Sequence, residues 1–155
     1  MERITFDDEE PRVEDMLQSV PPININGACQ QLQGPERSIL CAIDLVSGLA
    51  HVTTQLQIPD FSAMRKGSIF PIVGVLTIRY VPQERCVTLG SLRAYVAAFS
   101  EFRTTEENSV RLFADDLAWR LDPYWLEVCG YFTGVDGIPV TPVASYQKLI
   151  PSETH

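Results

Sequence analysis

The chain has 155 residues, of which 45% are hydrophobic and 21% charged, and its formal net charge is −8. A domain of this length buries roughly 70% of its unfolded surface, so disorder is excluded and neither disulfides nor metals are needed to hold a core. The twelve basic residues are scattered, with Arg65-Lys66 the only adjacent pair, which argues against nucleic acid or a polyanionic membrane surface as partner.

The charged fraction is below the roughly 25% usual for a free monomer, which leaves apolar surface for assembly. Cys29, Cys41, Cys86 and Cys129 form no CxxC or other close pair. They read as buried, reduced thiols of a cytoplasmic protein, and two histidines are too few for an ordinary zinc site. No apolar run reaches the length of a membrane span, and the N-terminus lacks the basic and apolar blocks of a signal peptide.

In chain order, residues 1–22 are acidic, end in Ser19-Val20-Pro21-Pro22 and read as an arm. Residues 23–150 are expected to form a single domain. Between Ile23 and Ala50, Gly27, Gly34 and Pro35 interrupt the pattern and leave room for a short strand or helical turn. His51 to Ile58 alternates, with Leu56 and Ile58 on one side and Gln55 and Gln57 on the other, as in a half-buried strand. Pro59-Asp60 is expected to end it, and a loop carrying Arg65, Lys66 and Gly67 follows. Val73 to Val81 is rich in β-branched residues, stops at Pro82, and predicts a second strand.

The period then changes. Leu92, Tyr95, Val96 and Phe99 mark a helix from about Leu89 to Glu101. Val110, Phe113, Ala114, Leu117 and Leu121 mark a second, opened by Thr104 and Glu107 at capping-box spacing and stopped by Pro123. Trp125 to Thr133 alternates again, with Leu126, Val128, Gly130 and Phe132 on one face and Trp125, Glu127, Cys129 and Tyr131 on the other. Asp136-Gly137 predicts a turn, and Ile138 to Tyr146 pairs back as an edge or bulged strand because Pro139 and Pro142 cannot donate ladder bonds. The fold class is therefore α+β. Two hairpins make one antiparallel sheet in the order ββααββ, and two helices cover one face. Unless the N-terminal segment covers it, the other face, with Trp125 and Tyr131, needs a partner, and a ring of subunits joined edge to edge would cover it and also protect the sheet edges.

Several segments resemble the tunnelling-fold (T-fold) family, and within it the 7-cyano-7-deazaguanine reductases of the QueF type. They are Tyr80-Val81-Pro82, Val87 to Tyr95, Asp116-Leu117, Leu121 to Tyr124, Leu126 to Phe132 and Gly137 to Val140. The likeness covers roughly residues 50–148. It implies a ββααββ unit assembled into an oligomeric barrel, with a purine- or pterin-like ring held between subunits by an acidic residue. It also places Arg65 where the family has its nucleophilic cysteine and Ile72 where it has its aspartate. Neither replacement can do the original chemistry. The family segment associated with NADPH corresponds to Thr88-Leu89-Gly90-Ser91-Leu92-Arg93, in which only Arg93 keeps a positive charge. No cofactor is expected; NADPH would be required only if the chain were a reductase.

The resemblance makes Glu107 the ring anchor, a role that competes with helix capping, and sets Glu106 in place of a histidine. Arg65 and Lys66 could fix a carboxylate or phosphate. Arg93 is placed at the substrate or in an interface ion pair, and His51 is a candidate acid–base group. The catalytic candidates are thus Arg65, Glu106, Lys66 and His51, and the substrate-binding ones Glu107, Arg65 and Arg93. The expected function is a non-reductase enzyme acting on a heterocyclic small molecule by addition, cyclisation, hydrolysis or dehydration. The alternatives are a non-catalytic binding or scaffolding protein and an NADPH-dependent nitrile reductase.

Overall fold

A computed structural model describes residues 34–45, 52–134 and 137–149. The chain divides into the units Met1–Gln31 and Leu32–His155, and all described residues belong to the second. The acidic arm, Cys29, His51 and Asp136 lie outside the described residues.

The elements are β1 (Ala42–Asp44), β2 (Thr54–Arg65), β3 (Pro71–Val81), β4 (Arg85–Val87), α1 (Leu89–Ala98), β5 (Arg103–Thr104), α2 (Glu106–Leu121), β6 (Trp125–Phe132) and β7 (Val143–Gln147). One sheet has five strands in the order β5-β2-β3-β6-β7, and β1 pairs with β4 in a separate ribbon. The ββααββ order is present, with β1, β4 and β5 added to it. All pairings are antiparallel except β2 with β5.

Pro59-Asp60 does not end the first long strand. β2 runs through it to Arg65, with a register shift between Ile58 and Phe61. Ile58 faces Leu76 and Phe61 faces Gly74, so three steps on β2 match two on β3. This is a one-residue bulge, and it is tolerated because the missing proline donor lies along the strand's unpaired side. The bulge reverses parity. Before it, Leu56 and Ile58 point inward; after it, Phe61, Ala63 and Arg65 do, while Asp60, Ser62 and Met64 are exposed. The hairpin then closes through Gly67, whose φ of +75° suits glycine. Pairing resumes at Pro71, two residues before the expected start of β3.

The predicted first helix is α1 plus a 3-10 turn at Phe99–Glu101. Together they bury Leu92, Tyr95, Val96 and Phe99. The second begins one residue later than a Thr104 cap implies. Thr104 is paired to Arg65 in β5, so Thr105 caps α2 instead, its hydroxyl accepting from the Asn108 N–H at 3.2 Å. At the other end Asp122 takes a left-handed conformation (φ 45°), donates its N–H to Ala118 O, and hands over to Pro123.

The core lies between the helices and the inward face of the sheet. Phe99 and Phe113 stack at 4.9 Å, while Phe61 and Tyr95 meet them edge-on at 5.0–5.8 Å. Phe132 completes the cluster, 5.9 Å from Phe61. Its ring lies over Gly130, where an added Cβ would come within 2.8 Å of the Phe132 Cζ atom.

β6 has the expected faces, with Leu126, Val128 and Phe132 buried and Tyr131 55% exposed. β7 is shorter than expected. Val140 makes only an isolated bridge to Phe132, and regular pairing begins after Pro142. The thiols differ from expectation: Cys41 is exposed, and Cys129 is half-buried on the helix-free face rather than in the core.

Candidate functional site

Two of the residues singled out in the sequence meet directly. Arg65, the last residue of β2, directs Nη1 at the Glu106 carboxylate, the first residue of α2. Their side chains are 17% and 7% exposed. Two ladder hydrogen bonds bring the strand end and the helix start together: Met64 N donates to Phe102 O at 3.2 Å, and Lys66 N to Thr104 O at 3.0 Å. The two-residue strand β5 is therefore a splice between β2 and α2. The Glu106 carboxylate also lies at the helix's positive end, where an anion is favoured.

The Arg65 guanidinium is only partly satisfied. Nε and Nη2 are buried and have no hydrogen-bond partner. A charged group out of water stays tolerable when paired, so loss of Glu106 would leave Arg65 exposed to the full cost of desolvation.

The other candidates separate. Glu107 is exposed on the first turn of α2 and takes no part in capping, since Thr105 and Asn108 do that. Lys66 is exposed in the hairpin turn beside Arg65. Arg93 is elsewhere: its Nη1 donates to both oxygens of Asp60 at 3.0 and 3.1 Å, at the bulge. His51 lies outside the described residues. Among the described residues no three His, Cys, Asp or Glu side chains converge as a metal site would require.

No described cysteine is near Arg65. Cys129 stands opposite Thr77, which faces Gln57 on β2, eight residues before Arg65. At the rise of a strand that is roughly 25 Å. Cys86 pairs with Ile43 at the other end of the sheet, by Tyr80.

Comparison with known proteins then settles the kinship. The family model described as "QueF-like protein" matches residues 71–150, just over half of the chain. The chain belongs to the QueF-like family. Among curated relatives, the NADPH-dependent 7-cyano-7-deazaguanine reductase of Caldicellulosiruptor bescii is 35% identical over 89 residues, 57% of this chain and 68% of the relative. The reductase of Anaeromyxobacter dehalogenans is 34% identical over 91 residues, 59% of this chain and 75% of the relative. That of Neisseria gonorrhoeae is 33% identical over 90 residues, covering 58% and 57%. Among solved structures, the archaeosine synthase QueF-Like in its apo form superposes with a TM-score of 0.58 at 12% identity, covering 63% of this chain and 96% of that one. This likeness is one of fold: mixed α+β with a QueF-like arrangement of sheet and two helices. No described helix is long and apolar enough to cross a membrane.

The QueF-like match begins at Pro71, just beyond the turn that carries Lys66. Sequence reasoning found Arg65 and Glu106 separately, but not that they pair. It passed over Arg103, whose Nη1 donates to Arg65 O at 3.4 Å. A basic residue in a two-residue strand leaves no periodic signal. It also passed over a buried polar pair in the QueF-like core. The Tyr95 hydroxyl donates to Asp116 Oδ2, and lies 3.4 Å from Leu112 O. Burial pushes the Asp116 carboxyl up, against the hydrogen bond from Tyr95 and the charge of Arg37. Burial and then the neighbouring Asp116 charge hold the Tyr95 hydroxyl well above the usual phenol value. This pair is sealed between α1 and α2, so it belongs to the packing of the domain.

Proposed function

We propose that this chain is a QueF-like enzyme that binds a purine- or pterin-like heterocycle and performs addition, cyclisation, hydrolysis or dehydration rather than reduction. The observation that carries the reading is the Arg65–Glu106 ion pair. By the family resemblance, Arg65 occupies the position of the thiolate nucleophile, and its guanidinium is tied to a carboxylate. Ile72, at the family's aspartate position, is fully buried in the core. The described cysteines offer no substitute nearby.

The NADPH named in the relatives' activity finds a poor fit here. In the segment that corresponds to the family's cofactor motif, Arg93 is engaged by Asp60, and the Ser91 hydroxyl is bonded to the Thr88 hydroxyl and carbonyl and to the Cys41 backbone. Leu89 and Gly90 contribute no charge. No step is therefore assigned to a nicotinamide.

In the proposed site Glu107 accepts hydrogen bonds from a ring N–H and an exocyclic amine. Arg65 and Glu106 form a preorganised charge pair beside it, able to stabilise charge that develops on the ring. A second subunit closes the site in a tunnelling-fold barrel. The helix-free face supports that assembly, for Val73, Tyr131 and Val143 on it are 50%, 55% and 58% exposed. The protein works in the cytoplasm, a reading supported by the free thiols of the described cysteines Cys41, Cys86 and Cys129.

Three measurements test this. Incubation with 7-cyano-7-deazaguanine and NADPH is expected to give neither a covalent adduct mass nor loss of nicotinamide absorbance; either signal overturns the non-reductase reading. Guanine and pterin are expected to bind the wild type more tightly than Glu107→Ala, and equal affinity would remove the anchor. A monomer in light scattering at micromolar concentration would remove the shared site. A second reading, a binding protein without catalysis, is favoured by the way Arg65 and Glu106 neutralise each other. It predicts ring binding with no turnover of any bound heterocycle.

A further inference from the structure

Ten Lys and Arg residues fall among the described residues. Five of them, Arg65, Arg85, Arg93, Arg111 and Lys148, have a carboxylate within 4.0 Å. Three more, Arg37, Arg79 and Arg120, lie over tryptophan rings. Only Lys66 and Arg103 have neither kind of partner among the described residues. Both are exposed, and both flank Arg65.

The backbone holds the two close together. Lys66 follows Arg65 directly and its N–H donates to Thr104 O at 3.0 Å, while Arg103 precedes Thr104 and reaches Arg65 O at 3.4 Å. That carbonyl engages Nη1 alone, leaving the rest of the guanidinium without a hydrogen-bonded partner. Around the end of β2 there are thus three cations, and the one carboxylate they contact is Glu106, held by Arg65. Glu101 and Glu107, the other acids nearby in sequence, form no ion pair among the described residues. In a chain of net charge −8, two uncompensated cations whose backbones lie side by side at the end of β2 favour an anion there.

We propose that Lys66 and Arg103 form an oxyanion site, so that the ligand of this chain carries a carboxylate or phosphate in addition to its ring. This deepens the functional reading above and rests on it for the ring. Glu107 faces the donor edge of the heterocycle, and the two cations take the anionic substituent. Arg103 supplies a fork for two oxygens, and Lys66 a point charge.

The test pairs each anionic ligand with its neutral counterpart. Guanosine 5′-monophosphate is compared with guanosine, and pterin-6-carboxylate with pterin, by calorimetry on the full chain. Inorganic phosphate is titrated separately while the Lys66 and Arg103 resonances are followed by NMR. The variants are the double Lys66→Gln/Arg103→Gln and, as a control cation elsewhere, Arg79→Gln. In at least one pair the anionic ligand is expected to bind about tenfold or more tightly than the neutral one. That ratio should fall to near one in the double variant and in high salt, and stay unchanged in Arg79→Gln. The pair that responds tells phosphate from carboxylate. A ratio near one in both pairs, or a ratio that survives the double substitution, overturns the proposal.

The outcomes also separate the two readings. If neutral rings bind in a Glu107-dependent way and the anion adds nothing, the oxyanion site falls and the heterocycle reading stands. If no ring binds, but phosphate shifts the Lys66 and Arg103 resonances in the wild type, the reverse holds. If neither rings nor phosphate bind, both fall.

Discussion

Arg65 and Glu106 are 41 residues apart in sequence and form an ion pair between the end of a strand and the first residue of a helix. The bulge at Pro59-Asp60 makes the contact possible, because it turns odd-numbered residues of β2 inward. Without the extra residue Arg65 would face away from α2.

Breaking this pair from one side should destabilise the domain more than removing both partners. Glu106→Ala leaves the Arg65 charge with its Nε and Nη2 already unpartnered, and should cost about 3 kcal/mol, the lower end of the range for buried pairs because Arg65 is partly exposed. The double change Arg65→Met/Glu106→Leu should cost less than either Arg65→Met or Glu106→Leu alone. Urea denaturation of the four proteins in a cycle measures the coupling, and additive losses would show that the pair contributes nothing.

Deletions on the two sides of β2 should differ sharply. Deleting Asp60 forces Phe61, Ala63 and Arg65 toward the helix-free face or shifts the whole register, and Phe61 is fully buried. Deleting Ser68 in the hairpin turn, next to the 93% exposed Ile69, changes only a loop. Thermal denaturation should show a large loss of Tm or no folded protein for the first and a small change for the second.

Two glycines should respond to alanine with opposite signs. Gly130→Ala drives its methyl group into the Phe132 ring and toward Val110 Cγ2, 3.0 Å away, for a loss of about 1–3 kcal/mol. Gly90→Ala in α1 meets nothing within 4 Å and should gain about 0.5 kcal/mol from reduced unfolded-state freedom. Chemical denaturation of both variants at one pH checks the pair.

Stability should fall as pH rises just above the ordinary aspartate value of 3.8. Asp116 is raised by burial, so between its unfolded and folded values the native state holds more protons than the unfolded one, and rising pH favours unfolding. Asp115 is raised for the same first cause and adds in the same direction. Asp116→Asn keeps an acceptor for the Tyr95 hydroxyl and should flatten this part of the profile. An unchanged slope in denaturation measured across that window would assign the effect to other groups.

Much of the fold was legible because it rests on short-range patterns. The alternation in Trp125 to Phe132 and the helical spacing of Val110, Phe113, Leu117 and Leu121 each reported a buried face directly. Errors arose where one residue changed the phase. Pro59 read as a strand end, although on an open edge its missing donor costs no ladder bond. Thr104 read as a helix cap, although a two-residue parallel pairing had already claimed it. For the site, residue type and family resemblance singled out Arg65, Glu106, Glu107 and Lys66 as candidates, of which Arg65 and Glu106 are in contact. Contacts set by tertiary packing were not legible: the capture of Arg93 by Asp60, the approach of Arg103 to Arg65, and the pairing of Arg65 with Glu106.

The prolines on the outer strands also bear on solubility. Among the described residues, β2 has an open edge from Thr54 to the bulge, and β7 has one along Val143–Gln147. Pro59 offers no donor to an incoming strand, and the twist of the bulge throws off its register; Pro139 and Pro142 guard the approach to β7 in the same way. Each edge therefore presents one short ladder, at Thr54–Ile58 and at Val143–Gln147. A cognate partner strand can recognise so short a ladder when its side chains fit. An unrelated extended chain gains too few bonds there to begin a fibre.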